Sequence, residues 1–506
     1  MKTELKFKLS AKADSRQTGT FVVPAACQQL SLVCSLDKTF GFLVFVILKD
    51  SQNHVRFQKQ LGISENIITV GPDAMHTTMG GIPGRIYAGA WKLKVLLFTE
   101  HIQRLLGDKE ISFGFIVSDE IKECQEVIGA NLWADMDFAY TGYDTQKIYR
   151  QGARWYRGDL HTHTRLSDGK ELPENASRKA ENMQLDYYVA TEHNVVHTGW
   201  PKTEVCVMPG VEATTMLGHA NIFGLTKRPR NLQNLLYDKE EDLLAEDMEA
   251  LSEECRENGW LFSINHPFLY IWQWVLNDFS LERVDCLEII NDPTYAADEK
   301  AEAEKANRMA VDLADLLWMD GYRICAVGGS DSHNLIDERY GDAAEPSVPG
   351  DPATWLHMHD LTPQHVIEAL KACRCYVTRH CRMVSEFSSC GEDSIMQKIR
   401  FGEKMPEDAT VLRYEITLFG CPEKACFYMM VNGEKRRLQS VQTSDHSYTV
   451  QGLIHLQKKD WCCIRFGAET EDGRFLFFGN PMTKGSRPHT YRTVGEAMEY
   501  VRKAWK

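Results

Sequence analysis

Arg157-Gly-Asp-Leu-His161-Thr-His163-Thr-Arg165-Leu-Ser-Asp168-Gly-Lys170 is the stretch on which the reading of this chain turns. The run from Trp155 to Leu160 reads as a short strand, and Pro173 opens a helical pattern soon after. Side chains two apart on a strand point the same way, so His161 and His163 share one face at its carboxyl end. Two imidazoles on one face make half of a metal site. Asp168 follows in a Ser-Asp-Gly turn that can fold a carboxylate back over the same mouth. In a chain with 17 His, one His-x-His decides little by itself. The other strand ends have to supply the rest.

They do. Between about 151 and 385 the pattern runs strand, loop, helix, and repeats. Strand-like runs are Arg154–Leu160, Asp186–Thr191, Glu204–Val211, Ala220–Leu225, Leu261–Ile264, Cys286–Ile290, Arg323–Val327 and Thr354–Met358. Helical stretches span Pro173–Gln184, Glu240–Asn258 and Asp298–Asp320, and Thr362-Pro363 opens another as cap and first helical residue. Such alternation predicts a parallel sheet, and about seven or eight strands predict a barrel. His193 then follows one strand, Glu212 the next, and His219 opens another. His266 follows Leu261–Ile264, while Asp331 and His333 follow Arg323–Val327. Each alone is an ordinary polar residue at a strand end. Five such coincidences at one rim are a site.

The flanks read differently. Residues 1–150 carry strand runs, such as Gln29–Leu36, Thr39–Leu48 and Trp91–Phe98, without long helical periodicity. Residues 386–506 return to strands, with an Asn432-Gly433 hairpin turn and a closing helix from Val494 to Ala504. The expected organisation is an α/β barrel flanked by N-terminal and C-terminal β-sandwich-like domains, cut at 151 and 385. Lys plus Arg number 57 against 71 Asp plus Glu, for a net charge of −14. An acidic surface repels phosphate backbones, which argues against a nucleic-acid scaffold. The first residues lack an apolar leader core, and no run is long enough for a membrane span. Fifteen scattered Cys without Cys-x-x-Cys pairs suit a reducing compartment, so the expected location is cytoplasmic.

Imidazole and carboxylate donors without thiolate suit Mn, Zn or Fe rather than a purely structural zinc site. Two ions about 3.5–4 Å apart need a bridging carboxylate to offset their repulsion, and such pairs serve hydrolysis. Arg165 and Lys170 flank the first motif as candidate contacts for an anionic small-molecule substrate. Phe268, Tyr270, Trp272 and Trp274 are candidates for a pocket wall, and the turn-rich segment from Asn334 to Asp351 for a lid.

The series Asp-Leu-His-Thr-His-Thr…Ser-Asp-Gly, Thr-Glu-His-Asn, Pro-Gly-Val-Glu, Gly-His, Asn-His-Pro and Gly-Ser-Asp-Ser-His resembles the PHP (polymerase and histidinol phosphatase) metallohydrolases. Within them it looks most like the carbaryl-hydrolase-like (CehA/McbA) branch, and the likeness covers about 155–380. The resemblance implies a distorted (β/α)7 barrel holding two to three divalent transition-metal ions. It implies a first metal on His161, His163, Glu212 and Asp331, and a second on Glu212, His219 and His266. The third would take Asp168, His193 and His333. Glu212, Asp331 and His333 are the residues expected to serve catalysis. Glu192 stands where an Asp often precedes the His, and Cys373 where a Gly is common.

The expectation is a metal-dependent phosphoesterase using a metal-bridging hydroxide. Carbamate, amide or ester hydrolysis at the same site is the alternative. A binding module that merely keeps its metals is the third reading. The oligomeric state stays open.

Overall fold

The computed structural model describes residues 1–63, 66–236, 241–295, 303–341, 343–391, 395–457 and 461–506. Glu240, the first residues of the expected helix at 298, Asp342 in the expected lid and Asp460 lie outside these. The architecture is mixed α/β with several sheets. No helix among the described residues is long and apolar enough to cross a membrane.

The N-terminal residues form two four-stranded sheets face to face. Alternating apolar residues such as Leu5, Phe7 and Leu9 meet Trp91, Leu93 and Val95 in the core between them. One expected strand is cut short there. Lys38–Leu43 is a 3-10 turn, because Asp37 caps it by accepting the N–H of Thr39, and the strand begins at Val44.

The central strands run in one sheet. Its order is Cys325–Gly329, Cys286–Asn291, Leu261–Ile264, Gly218–Phe223, Cys206–Thr215, Tyr187–Ala190, Arg154–Asp159, Ala353–Met358 and Cys375–Thr378. The expectation of a wholly parallel sheet needs correcting. Gly218–Phe223 pairs antiparallel with both neighbours, and Ala353–Met358 lies antiparallel to Arg154–Asp159. This reversal puts His219, near the start of its strand, at the rim where the other strands end. Helices Pro173–Asn182, Glu241–Asn258, Ala303–Met319 and Pro363–Lys371 connect the strands.

A closed (β/α)7 barrel is not what the backbone ladder forms. Beyond Cys375–Thr378 the sheet continues into C-terminal strands, Phe475–Gly479, Cys462–Glu469 and Cys426–Val431, instead of returning to Cys325–Gly329. Side chains satisfy the edge left open. Thr354 Oγ1 accepts the N–H of Gly328 at 2.9 Å and donates to its carbonyl at 2.7 Å. Asn480 treats Ala326 in the same way, at 2.8 Å for each bond. Buried backbone groups must find partners, and here a hydroxyl and an amide stand in for a strand. At the rim, Asp331 N–H donates to His161 O at 2.8 Å and His163 N–H to Ser332 O at 3.2 Å. The first motif and the last strand are thereby brought side by side.

A candidate metal centre

Nine side chains meet at this rim. Glu212 is their hub: its carboxylate lies 3.3 Å from His161 Nε2, 3.5 Å from His163 Nε2 and 2.8 Å from His193 Nδ1. It also lies 3.1 Å from His219 Nδ1 and 3.5 Å from His266 Nε2. Asp331 Oδ1 is 3.0 Å from His163 Nε2 and 3.3 Å from His161 Nε2. Asp168 Oδ1 is 3.3 Å from His333 Nε2 and 3.6 Å from His193 Nε2.

At this rim three groups could each hold an ion, with donor atoms within 4.8 Å of one another: His163, Asp168, His193 and His333; His161, His163 and Glu212; His193, Glu212 and His219. The first contains the whole set expected for a third metal and adds His163. His193 also belongs with Glu212 and His219, so it stands between two groups rather than in one.

The charges follow from burial and neighbours. Burial works against the charged carboxylate of Glu212, yet His161, His193 and His219 hold it well below its ordinary range. Asp331 is held low in the same way by His161 and His333. Burial pushes His163 and His219 down to about 4, so both rings are neutral and ready to donate an electron pair. His333 is buried too, but Asp168 and Asp331 raise it to about 10.

The residues present fit bound cations. His161 Nε2, both ring nitrogens of His163, Glu212 Oε2, His266 Nδ1 and Asp331 Oδ1 are buried and make no hydrogen bond. An unsatisfied buried polar atom costs about 1–3 kcal/mol, so six in one cluster call for a partner that protein atoms do not supply. Two of the donors also sit on left-handed backbone, His266 at φ 26° and Asp331 at φ 49°. For residues with a Cβ this is strain, of a kind that collects at functional sites.

Several supporting residues escaped the sequence reading. Glu288 Oε1 lies 2.9 Å from His161 Nδ1, and its Oε2 accepts the N–H of His266 at 2.9 Å and Asn291 Nδ2 at 3.1 Å. Its signal was present: a lone carboxylate in the apolar run Cys286-Leu-Glu288-Ile-Ile290. Asn265 Nδ2 donates to Glu212 at 2.9 Å, and Asn291 Nδ2 to Asp331 at 3.2 Å. Asp159 accepts from the N–H groups of His161, Ser330 and Gly350. Glu192 binds the first motif's loop, accepting from Thr164 Oγ1 and Ser167 Oγ at 2.6 Å each. Cys373, where the resemblance expects Gly, keeps the left-handed turn at φ 54°.

A cleft of about 360 Å³ opens over the cluster, lined by Asp168, His193, His219, His266, Asp331 and His333. Lys170 lines it as well and pairs with Glu338. Arg165 does not line it, because Glu126 of the N-terminal residues lies 3.4 Å away and Lys170 O takes its Nε–H at 2.9 Å. Of the four expected wall aromatics only Trp272 takes part. Trp274 and Phe268 are buried in the core, and Tyr270 is 43% exposed. Tyr295 and Tyr340 are wall residues that sequence did not suggest. Tyr340 comes from the expected lid segment, which Lys179 and Arg379 tie down through Asn334 O and Glu345.

No protein-family model matches the chain, and no curated protein does. Among solved structures it is similar to a two-domain protein from Bacteroides vulgatus described as containing a predicted PHP-like metal-dependent phosphoesterase. The identity is 14%, over 67% of this chain and 98% of that one, with a TM-score of 0.34.

Proposed function

We propose that the chain is a metal-dependent hydrolase acting on a small phosphoester, and that it carries two or three divalent ions of Mn, Zn or Fe. One observation supports this above all: buried imidazole and carboxylate atoms without hydrogen bonds, on donors that include no thiol. The motif series supports the PHP metallohydrolases, and their carbaryl-hydrolase-like branch, as the family reading.

His161, His163, Glu212, His219, His266 and Asp331 would hold the inner ions, and Asp168, His193 and His333 the outer one. Bound there, such ions neutralise phosphoryl charge and make water acidic enough to supply a nucleophile at neutral pH. The chain's own residues do the rest. Glu212 keeps the imidazoles around it in register through its single buried charge. Asn265 and Asn291 fix the carboxylates of Glu212 and Asp331, leaving no rotamer freedom to be lost when substrate enters. His333 is set for its place beside Asp168 by its Nδ1, which lies 2.7 Å from the Asp331 carbonyl, and Lys170 lines the same cleft, paired with Glu338.

The test is turnover of phosphomonoesters, phosphodiesters, carbamates and amides by protein reconstituted separately with Mn, Zn and Fe. Phosphoester turnover that Asp168→Ala removes, with the inner ions still bound, is the expected result. A planar carbonyl needs fewer cations than a phosphoryl group, so any carbamate activity should suffer less. Robust carbamate turnover with none on phosphoesters would overturn the substrate class.

A further inference from the structure

Away from the donor residues, the cleft wall carries Trp272, Tyr295 and Tyr340, together with Asp292 just beyond the Cys286–Asn291 strand. The rings follow one another at angles. Trp272 and Tyr295 lie 5.4 Å apart at 61°, and Tyr295 and Tyr340 lie 5.0 Å apart at 89°. Parallel rings leave a slot for a flat group. Rings near right angles build the corner of a box, whose π-faces suit a compact, roughly spherical group.

Charge points the same way. Asp292 is 3% exposed, and one of its oxygens accepts from Thr294 N–H at 3.1 Å and Thr294 Oγ1 at 2.5 Å. Among the described residues no Arg or Lys pairs with it, and the cleft's lysine is committed to Glu338. Burial, with a contribution from Asp331, pushes the carboxyl up to about 7 against those hydrogen bonds. A carboxylate in that position lacks a positive neighbour, and a bound cation would supply one.

Resting on the hydrolytic reading above, we infer that this corner is a subsite for a cationic group of the substrate, an alkyl- or quaternary ammonium held by Trp272, Tyr340 and Asp292. The substrate is then zwitterionic, with its hydrolysable anionic group at the metal donors and its ammonium a short distance away. Polyanions such as nucleoside diphosphates are disfavoured, because their second charge faces Asp292.

The experiment has a binding arm and a turnover arm. Choline chloride and its neutral isostere 3,3-dimethylbutan-1-ol are titrated into the metal-reconstituted protein, followed by tryptophan fluorescence and calorimetry. Choline should bind at least about tenfold more tightly, the scale of a partly desolvated cation–π contact with a carboxylate beside it. Asp292→Asn and Tyr340→Leu should each remove the preference, while Tyr340→Phe, which keeps the ring, should retain it. Circular dichroism checks that each variant is folded. In the turnover arm, phosphocholine should show a lower KM than 3,3-dimethylbutyl phosphate. Equal binding of choline and the alcohol overturns the inference even if both phosphates are hydrolysed. A choline preference in a protein that hydrolyses no phosphoester leaves the subsite standing and sinks the hydrolytic reading instead.

Discussion

Glu288 Oε1 lies 2.9 Å from His161 Nδ1, across 127 residues of sequence, and this contact leaves His161 Nε2 facing Glu212 and Asp331 at 3.3 Å each. A carboxylate at one ring nitrogen fixes which tautomer the ring adopts and which nitrogen is offered inward. Glu288 thus acts on the candidate centre without being one of its donors.

Glu288→Gln should therefore weaken metal binding by about 10–100-fold while the protein stays folded, the usual cost of losing such support. Competition with a chelator of known affinity measures it. Unchanged affinity would mean that His161 is oriented by packing alone.

Glu212→Gln should cost more than any other single donor change. Glu212 approaches five imidazoles within 3.5 Å, and the amide removes the one charge they share. Turnover should fall by more than about 100-fold, since a donor is lost and not only its support. Near-normal turnover with full metal content would refute the role of hub.

The metal-free protein should lose stability on the acid side. Burial sets His163 and His219 at about 4 in the fold. The unfolded chain takes up those protons near 6.5, so between about 6.5 and 4 it binds more protons than the native state, and falling pH favours unfolding. His333 has the opposite sign. Raised to about 10, it stabilises fully below about 6.5, and that contribution fades as pH rises through 10. Urea midpoints of chelator-treated protein should peak near neutrality and fall toward pH 4.5. A flat acid limb would contradict the depressed values. With metal present the acid loss should be accompanied by release of ions, because donors must be deprotonated to bind them.

A fragment restricted to 151–385 should fail to stay soluble. Cutting there removes Phe475–Gly479 from its pairing with Cys375–Thr378 and removes Asn480 from Ala326. An open, apolar strand edge results. It also removes Lys59 and Glu126, a buried pair at 2.6 Å whose carboxylate reaches Arg165 in the first motif's loop. In the full chain, Glu126→Ala leaves the Lys59 ammonium buried without its partner, at a cost of about 3–5 kcal/mol readable as a lower urea midpoint. A soluble, metal-binding fragment would show that the flanks are dispensable to the centre.

The sequence by itself showed nine candidate donors clustered about the strand ends of the central segment. His161 and His163 follow the Arg154–Asp159 strand, and a residue just past a strand's end lies at that end whatever the rest of the fold does. That is why most of the candidate donors were legible from local pattern, whereas Glu212 lies within its strand and His219 near the start of its own. Tertiary structure decided what depends on contacts between distant segments. These are the mixed strand directions that bring His219 to the rim, the side-chain closure by Thr354 and Asn480, and the grip of Glu288 on His161. It also turned Arg165 toward Glu126 and set Trp272, Tyr295, Tyr340 and Asp292 around one cleft. No local periodicity encodes these, because each depends on which strands become neighbours, and that choice is made by packing across the whole chain.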